Sequence, residues 1–122
     1  MYEGTNFVDN SVVLGNQNYP SDQGINMQTT GQAYAFLFNV TQAGSAGAAK
    51  IQGSPDGANW FDVGYITDAS DTISQATESL ASTGVKIHFL SNPVARRYRY
   101  FRLNVAAVTG SPKATITIFA IT

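Results

Sequence analysis

Ala33-Tyr34-Ala35-Phe36-Leu37-Phe38-Asn39-Val40-Thr41 decides the fold class. Tyr34, Phe36, Phe38 and Val40 recur at every second residue, while Ala33, Ala35, Leu37 and Asn39 fill the alternate places. A period of two puts successive side chains on opposite faces of an extended chain, so the stretch predicts a strand with one heavily apolar face. No helix of useful length offers a competing period.

The same pattern recurs along the chain. Val85, Ile87 and Phe89 alternate with Lys86 and His88, which predicts an apolar face opposite the histidine. Phe101, Leu103 and Val105 alternate with Tyr100, Arg102 and Asn104. In Lys113 to Thr122, Ala114, Ile116, Ile118 and Ala120 oppose Thr115, Thr117, Phe119 and Ile121, so both faces of this strand are expected to be partly covered. Weaker strand signals run over Phe7–Leu14, Ile25–Thr29, Ala48–Gln52, Trp60–Ile66 and Asp71–Glu78. Turn residues separate them, as in Gly15-Asn16, Ser54-Pro55-Asp56-Gly57, Ser91-Asn92-Pro93 and Thr109-Gly110-Ser111-Pro112. The expectation is an all-β antiparallel sandwich, jelly-roll-like, of eight or nine short strands.

The 122 residues suffice for one domain, and such a chain buries roughly two-thirds of its unfolded surface. Residues 32–122 form the expected body. Residues 1–31 differ in texture, with Asn6, Asn10, Gln17, Asn18, Gln23, Asn26 and Gln28 among few large apolar groups. They read either as loosely held first strands or as an arm that orders on a neighbouring subunit. Neither a secretory leader nor an apolar run near the roughly 20 residues of a membrane span is visible. The chain is therefore expected to be made in the cytoplasm and to have no membrane partner.

The absence of cysteine removes disulfides, thiolate metal sites and thiol nucleophiles. Only 12% of residues are charged, about half the usual share, and the net charge is −1. A charge-poor surface costs little to desolvate, which suits a protein that works in an assembly. It suits carbohydrate-binding domains nearly as well.

Gly53 to Trp60 reads as strand, tight turn and return strand. Pro55 presets a turn torsion, Asp56 and Gly57 favour the corner, and Trp60 anchors the return. Trp60 is expected to pack as a hairpin anchor rather than to serve as a stacking platform. Arg96, Arg97, Arg99 and Arg102 hold four of the seven basic residues, interleaved with Tyr98 and Tyr100. Acidic residues outnumber basic ones eight to seven, which argues against a nucleic-acid partner. Alternation places Tyr98, Tyr100 and Arg102 on one contact surface, and pairs Arg97 or Arg99 with a carboxylate such as Asp62 or Asp68. Tyr and Arg are enriched at protein interfaces. His88, the single histidine, is expected to be exposed or at an interface.

Asp56, Asp62, Asp68, Asp71 and Glu78 lack the ordered spacing of a calcium loop, and no nucleophile elbow, phosphate loop or dinucleotide fingerprint occurs. No catalytic, cofactor or metal site is expected.

The Gly53-Ser54-Pro55-Asp56-Gly57-Ala58-Asn59-Trp60 hairpin, followed by Arg97-Tyr98-Arg99-Tyr100-Phe101-Arg102-Leu103, resembles small β-sandwich virion proteins of tailed bacteriophages. Capsid decoration proteins, neck and tail accessories and some discoidin-like sugar-binding domains share the pattern, which here covers Ala48 to the C-terminus. The resemblance implies a structural virion protein on the capsid surface: a decoration or cement subunit, homotrimeric, adhering to the major capsid protein. The alternative it leaves open is a glycan-binding sandwich on a virion or tail, with Trp60, Tyr98 or Tyr100 as the platform.

Overall fold

The computed structural model describes residues 2–8, 13–19, 25–26, 33–67, 70–90 and 97–121. Twelve strand segments follow one another among them: β1 Tyr2–Val8, β2 Asn18–Tyr19, β3 Ile25–Asn26, β4 Ala33–Gln42, β5 Ala46–Ser54, β6 Phe61–Asp62, β7 Tyr65–Thr67, β8 Ser70–Ser74, β9 Glu78–Ser79, β10 Gly84–Leu90, β11 Tyr100–Thr109 and β12 Lys113–Ile121. They form two antiparallel sheets packed as a sandwich, with no helix among the described residues. Sheet A has the order β1-β12-β4-β10-β7-β8. Sheet B has β2-β11-β5-β6, with β3 also on β11 and β9 also on β5. The twelve exceed the eight or nine expected because two weak candidates split and because β2, Asn18–Tyr19, forms where no strand was expected. Trp60–Ile66 becomes β6 and β7, and Asp71–Glu78 overlaps β8 and β9.

Alternation explains the core. Phe36, Phe38, Ile116 and Ile118 from sheet A meet Ile51, Phe101, Leu103 and Val105 from sheet B, all nearly or fully buried. β12 lies between β1 and β4, inside its sheet. Of the first 31 residues, β1 pairs with β12, and β2 and β3 pair with β11. Leu14 is in the core and donates its N–H to the Pro112 carbonyl at 2.9 Å. The rest of Phe7–Leu14 and Ile25–Thr29 lies largely outside the described residues.

One strand has the opposite parity to that expected. The β10–β4 register sets His88 opposite Phe36 and Leu90 opposite Tyr34, so His88 and Leu90 face inward while Ile87 and Phe89 face out. His88 is thus 1% exposed, not a surface histidine. Its ring stacks on Tyr65 (centroids 3.5 Å, 4° between planes), and Phe38 lies against it at 4.6 Å. Nε2 is 3.2 Å from Glu78 Oε1, and among the described residues neither ring nitrogen makes a well-formed hydrogen bond. Glu78 belongs to β9 on sheet B, so this contact ties the two sheets. The parity inverted because both registers offered apolar residues, and the outer face of sheet A is apolar enough to accept Ile87 and Phe89.

Burial lowers the pKa of His88, outweighing the Glu78 carboxylate, which raises it. Lys86, two residues along β10, is the other charged group nearby. The unfolded chain takes up this proton near pH 6.5, whereas the folded chain takes it up only at lower pH. Stability from the neutral imidazole is therefore full above about pH 6.5 and is lost as pH falls through the folded value. The melting temperature should decline on acidification from about pH 6.5, before the carboxylates titrate near pH 4. His88→Gln should flatten that first decline. An equal decline in the variant would count against this assignment.

Candidate functional site

The turn between β5 and β6 is built around one carboxylate. Asp56 Oδ1 accepts the N–H groups of Ala58 and Asn59, each at 2.9 Å, and the Ser54 hydroxyl at 2.9 Å. The Asn59 side-chain amide donates to Asp56 Oδ2 at 2.7 Å. The fully buried Ser54 Oγ in turn accepts the N–H groups of Asp56 (3.2 Å) and Gly57 (2.8 Å). Gly57 sits at φ +80°, where side chains with a Cβ are disfavoured. The Asn59 and Ala58 amides, with the Asn59 and Ser54 side chains, hold the Asp56 carboxyl well below the usual carboxylate range. Pro55 and Gly57 thus shape a rigid corner that delivers Trp60 immediately ahead of β6.

Trp60 comes to rest on the outer face of sheet B. β11 pairs with β5 so that Arg102 lies opposite Gln52 and Asn104 opposite Lys50, and β6 places Asp62 opposite Gln52. With Phe101, Leu103, Ala49 and Ile51 facing inward, these polar partners share the outer face. They are bonded into a row. Arg102 Nε donates to Gln52 Oε1 at 2.9 Å, and Gln52 Nε2 donates to Asp62 Oδ1 at 3.0 Å. Lys50 Nζ is 3.2 Å from Asp62 Oδ2, and Asn104 Nδ2 donates to Asn18 Oδ1 at 2.9 Å. The Gln52 amide, and then Lys50, lower the pKa of the Asp62 carboxyl against some burial. The Arg102 guanidinium lies over the Trp60 ring, 4.2 Å from its centroid. Trp60 is half-buried, with one face of its indole occupied by that cation.

Of the three residues expected on one contact surface, the structure brings Tyr100 and Arg102 together and separates Tyr98. β11 begins at Tyr100, so strand alternation does not extend back through Arg97 to Arg99. The Tyr98 ring turns inward over Gly53 and meets Phe101 edge-on at 6.1 Å. It is a packing residue. Arg99 lies 5.7 Å over the Tyr100 ring. Asp62 is held by Lys50 and Gln52, in place of the expected Arg97 or Arg99; Arg96 and Asp68 lie outside the described residues.

Sequence reading missed Gln52, Lys50, Asn104 and Asn18. The alternation Ala49, Lys50, Ile51, Gln52 carried a signal for the first two, but their partners depend on register. Among the described residues no group of three or more His, Cys, Asp or Glu is placed to hold a metal ion.

No protein-family model and no curated protein matches the sequence. Among solved structures, one likeness runs through the whole sandwich. The fold is similar to that of the SPBc2 prophage-derived protein YomS. The match has a TM-score of 0.63 and covers 100% of this chain and 94% of that of YomS, at 7% sequence identity. At that identity the likeness to YomS is one of fold: the same two-sheet sandwich is reached with different side chains.

Proposed function

We propose that the protein is a structural subunit of a bacteriophage particle, a decoration or cement subunit that acts by adhesion rather than catalysis. It would self-associate, as a trimer, and dock onto the major capsid protein. One observation carries this reading: the sandwich has two outer faces of opposite chemistry. On sheet B the face is the bonded polar row around Arg102. On sheet A, Phe119, Ala35, Phe89 and Ile66 stand in register across β12, β4, β10 and β7. Behind them come Thr117, Leu37 and Ile87, then Thr115, Asn39 and Val85. No charged residue interrupts these rows, and Val85 remains 60% exposed.

These uncharged rows can meet other copies of this chain without like-charge repulsion, so further copies of the chain are their natural occupants. The first row crosses four strands and the other two cross three, so the patch spans roughly 14 Å along the strands and about 10–14 Å across them. Burying about 200 Å² per subunit gives about 5 kcal/mol per subunit, the same order as the cost of association. Self-association should therefore depend on concentration and strengthen on a particle, where neighbouring sites raise the local concentration. The fold likeness to a prophage-derived protein and the hairpin resemblance support the phage setting. For the rival glycan reading an open indole face is required, and Arg102 already covers one side of Trp60.

Sedimentation at rising concentration should show a species approaching three subunit masses. Val85→Asp, a change at an exposed site, should leave the fold intact and abolish that species. A wild-type chain that stays monomeric, and is missing from purified particles by mass spectrometry, would overturn the reading.

A further inference from the structure

A guanidinium offers two faces and three nitrogens, and the surroundings of Arg102 use only part of that capacity. One face lies on Trp60, and Nε is bonded to Gln52, whose amide is anchored on Asp62. The group is therefore fixed in plane and direction. No carboxylate pairs with it among the described residues, and its terminal Nη nitrogens make no hydrogen bond there. Asp62, two strands away, is engaged by Gln52 and Lys50. A half-buried cation with no direct counter-charge is costly to hold, and here Trp60 and Gln52 hold it.

We infer that the Nη fork of Arg102 is a docking point for a carboxylate on a partner protein, so that the outer face of sheet B binds an acidic polypeptide surface. The proposal rests on the reading of this chain as a subunit that docks on another protein, with sheet A taken up by self-association and the outer face of sheet B left for the partner. Its geometry suits a carboxylate, because two parallel N–H groups match two oxygens and preorganisation removes part of the ordering cost. Burial lowers the Arg102 pKa with no nearby charge to oppose it, and an incoming carboxylate would supply that charge. Polypeptide is favoured over nucleic acid because the other cations of this face are engaged: Lys50 is matched by Asp62 and Arg99 lies over the Tyr100 ring, while Asn18 and Asn104 are neutral. It is favoured over an acidic glycan because the indole face that would stack on a sugar carries the guanidinium.

Trp60 is the sole tryptophan, so its fluorescence reports on this site alone. The full chain is titrated with a capped hexaglutamate peptide, with capped hexaglutamine, with an oligothymidylate and with polygalacturonate. Hexaglutamate should perturb Trp60 saturably and hexaglutamine should not. Arg102→Lys keeps the charge but loses the fork and should weaken binding roughly tenfold or more. Lys86→Gln, which removes an exposed cation of sheet A outside this row, should leave it within about threefold if the fork and not bulk charge is read. Should Arg102→Lys fail to fold, Gln52→Met frees Nε without changing charge and should still weaken binding. The inference is overturned if hexaglutamate does not bind, if the arginine and glutamine variants bind as well as wild type, or if oligothymidylate or polygalacturonate binds at least as tightly. If particles carry the chain but hexaglutamate does not bind, only the inference fails. Arg102-dependent binding by a chain that particles lack would leave the inference standing and remove the proposed function.

Discussion

Phe101→Ala is expected to destabilise the protein by about 3–5 kcal/mol. The ring is fully buried on β11 of sheet B, yet its neighbours come mainly from sheet A. Tyr34 and Phe36 of β4 meet it edge-on at 5.3 and 5.4 Å, and Tyr98 meets it at 6.1 Å. Truncation to alanine leaves a cavity between two sheets, each stiffened by its hydrogen-bonded ladder, so little collapse can fill it. The edge-on contacts add about 0.5–1.5 kcal/mol each beyond the area lost. Since total stability of a domain this size is about 5–15 kcal/mol, the variant should lose a fifth or more of it. Urea unfolding is the measurement, with Phe61→Ala as control. Phe61 is also a sheet B phenylalanine but is 53% exposed, and its truncation should stay within about 0.5 kcal/mol of wild type. Equal shifts in the two midpoints would mean that the sheets are not joined through Phe101.

The faces of β4, β11 and β12 were legible because each carries large apolar residues on one parity and smaller or polar ones on the other. Phe101, Leu103 and Val105 against Arg102 and Asn104 admit one sensible orientation. β10 did not, because Val85, Ile87 and Phe89 compete with Leu90. Only pairing with Tyr34 and Phe36 decides which set turns inward, and it carries His88 with Leu90 into the core. A one-residue change of parity moves every side chain, so a strand with two acceptable faces is read at even odds.

At the candidate site, the turn was legible residue by residue, since Ser54, Pro55, Asp56 and Gly57 act on backbone within a few positions of themselves. The Arg102 cluster was not. Gln52 and Arg102 are 50 residues apart, and their contact exists because β5 and β11 pair in one register. Tyr98 was misplaced by extending strand alternation past the strand's first residue. Gly53 held the missing signal, because a glycine inside an apolar strand marks the close approach of another group.

That approach supplies the second large effect. Gly53→Ala is expected to cost about 1–3 kcal/mol, although alanine ordinarily improves on glycine in extended backbone. Gly53 has no positive φ, so the backbone itself would accept a side chain. The obstacle is Tyr98. A Cβ at Gly53 would lie 2.5 Å from Tyr98 Cγ and 2.8 and 2.9 Å from its two Cδ atoms. Cγ is the root of the ring, so turning the ring about its own axis does not move it. Rotation at χ1 would swing the whole ring off Phe101 and expose the floor of the core. Nor can the main chain step back freely, because Arg99 N–H is bonded to the Ser54 carbonyl at 3.0 Å and Phe101 is in register with Gly53. The clash therefore falls on the junction that sets where β11 begins. A double-mutant cycle tests this. In a Tyr98→Ala background the ring is gone, and Gly53→Ala should be neutral or mildly stabilising, giving a coupling energy of about 1–3 kcal/mol. Additive losses in the two variants would show that something other than this ring demands the glycine.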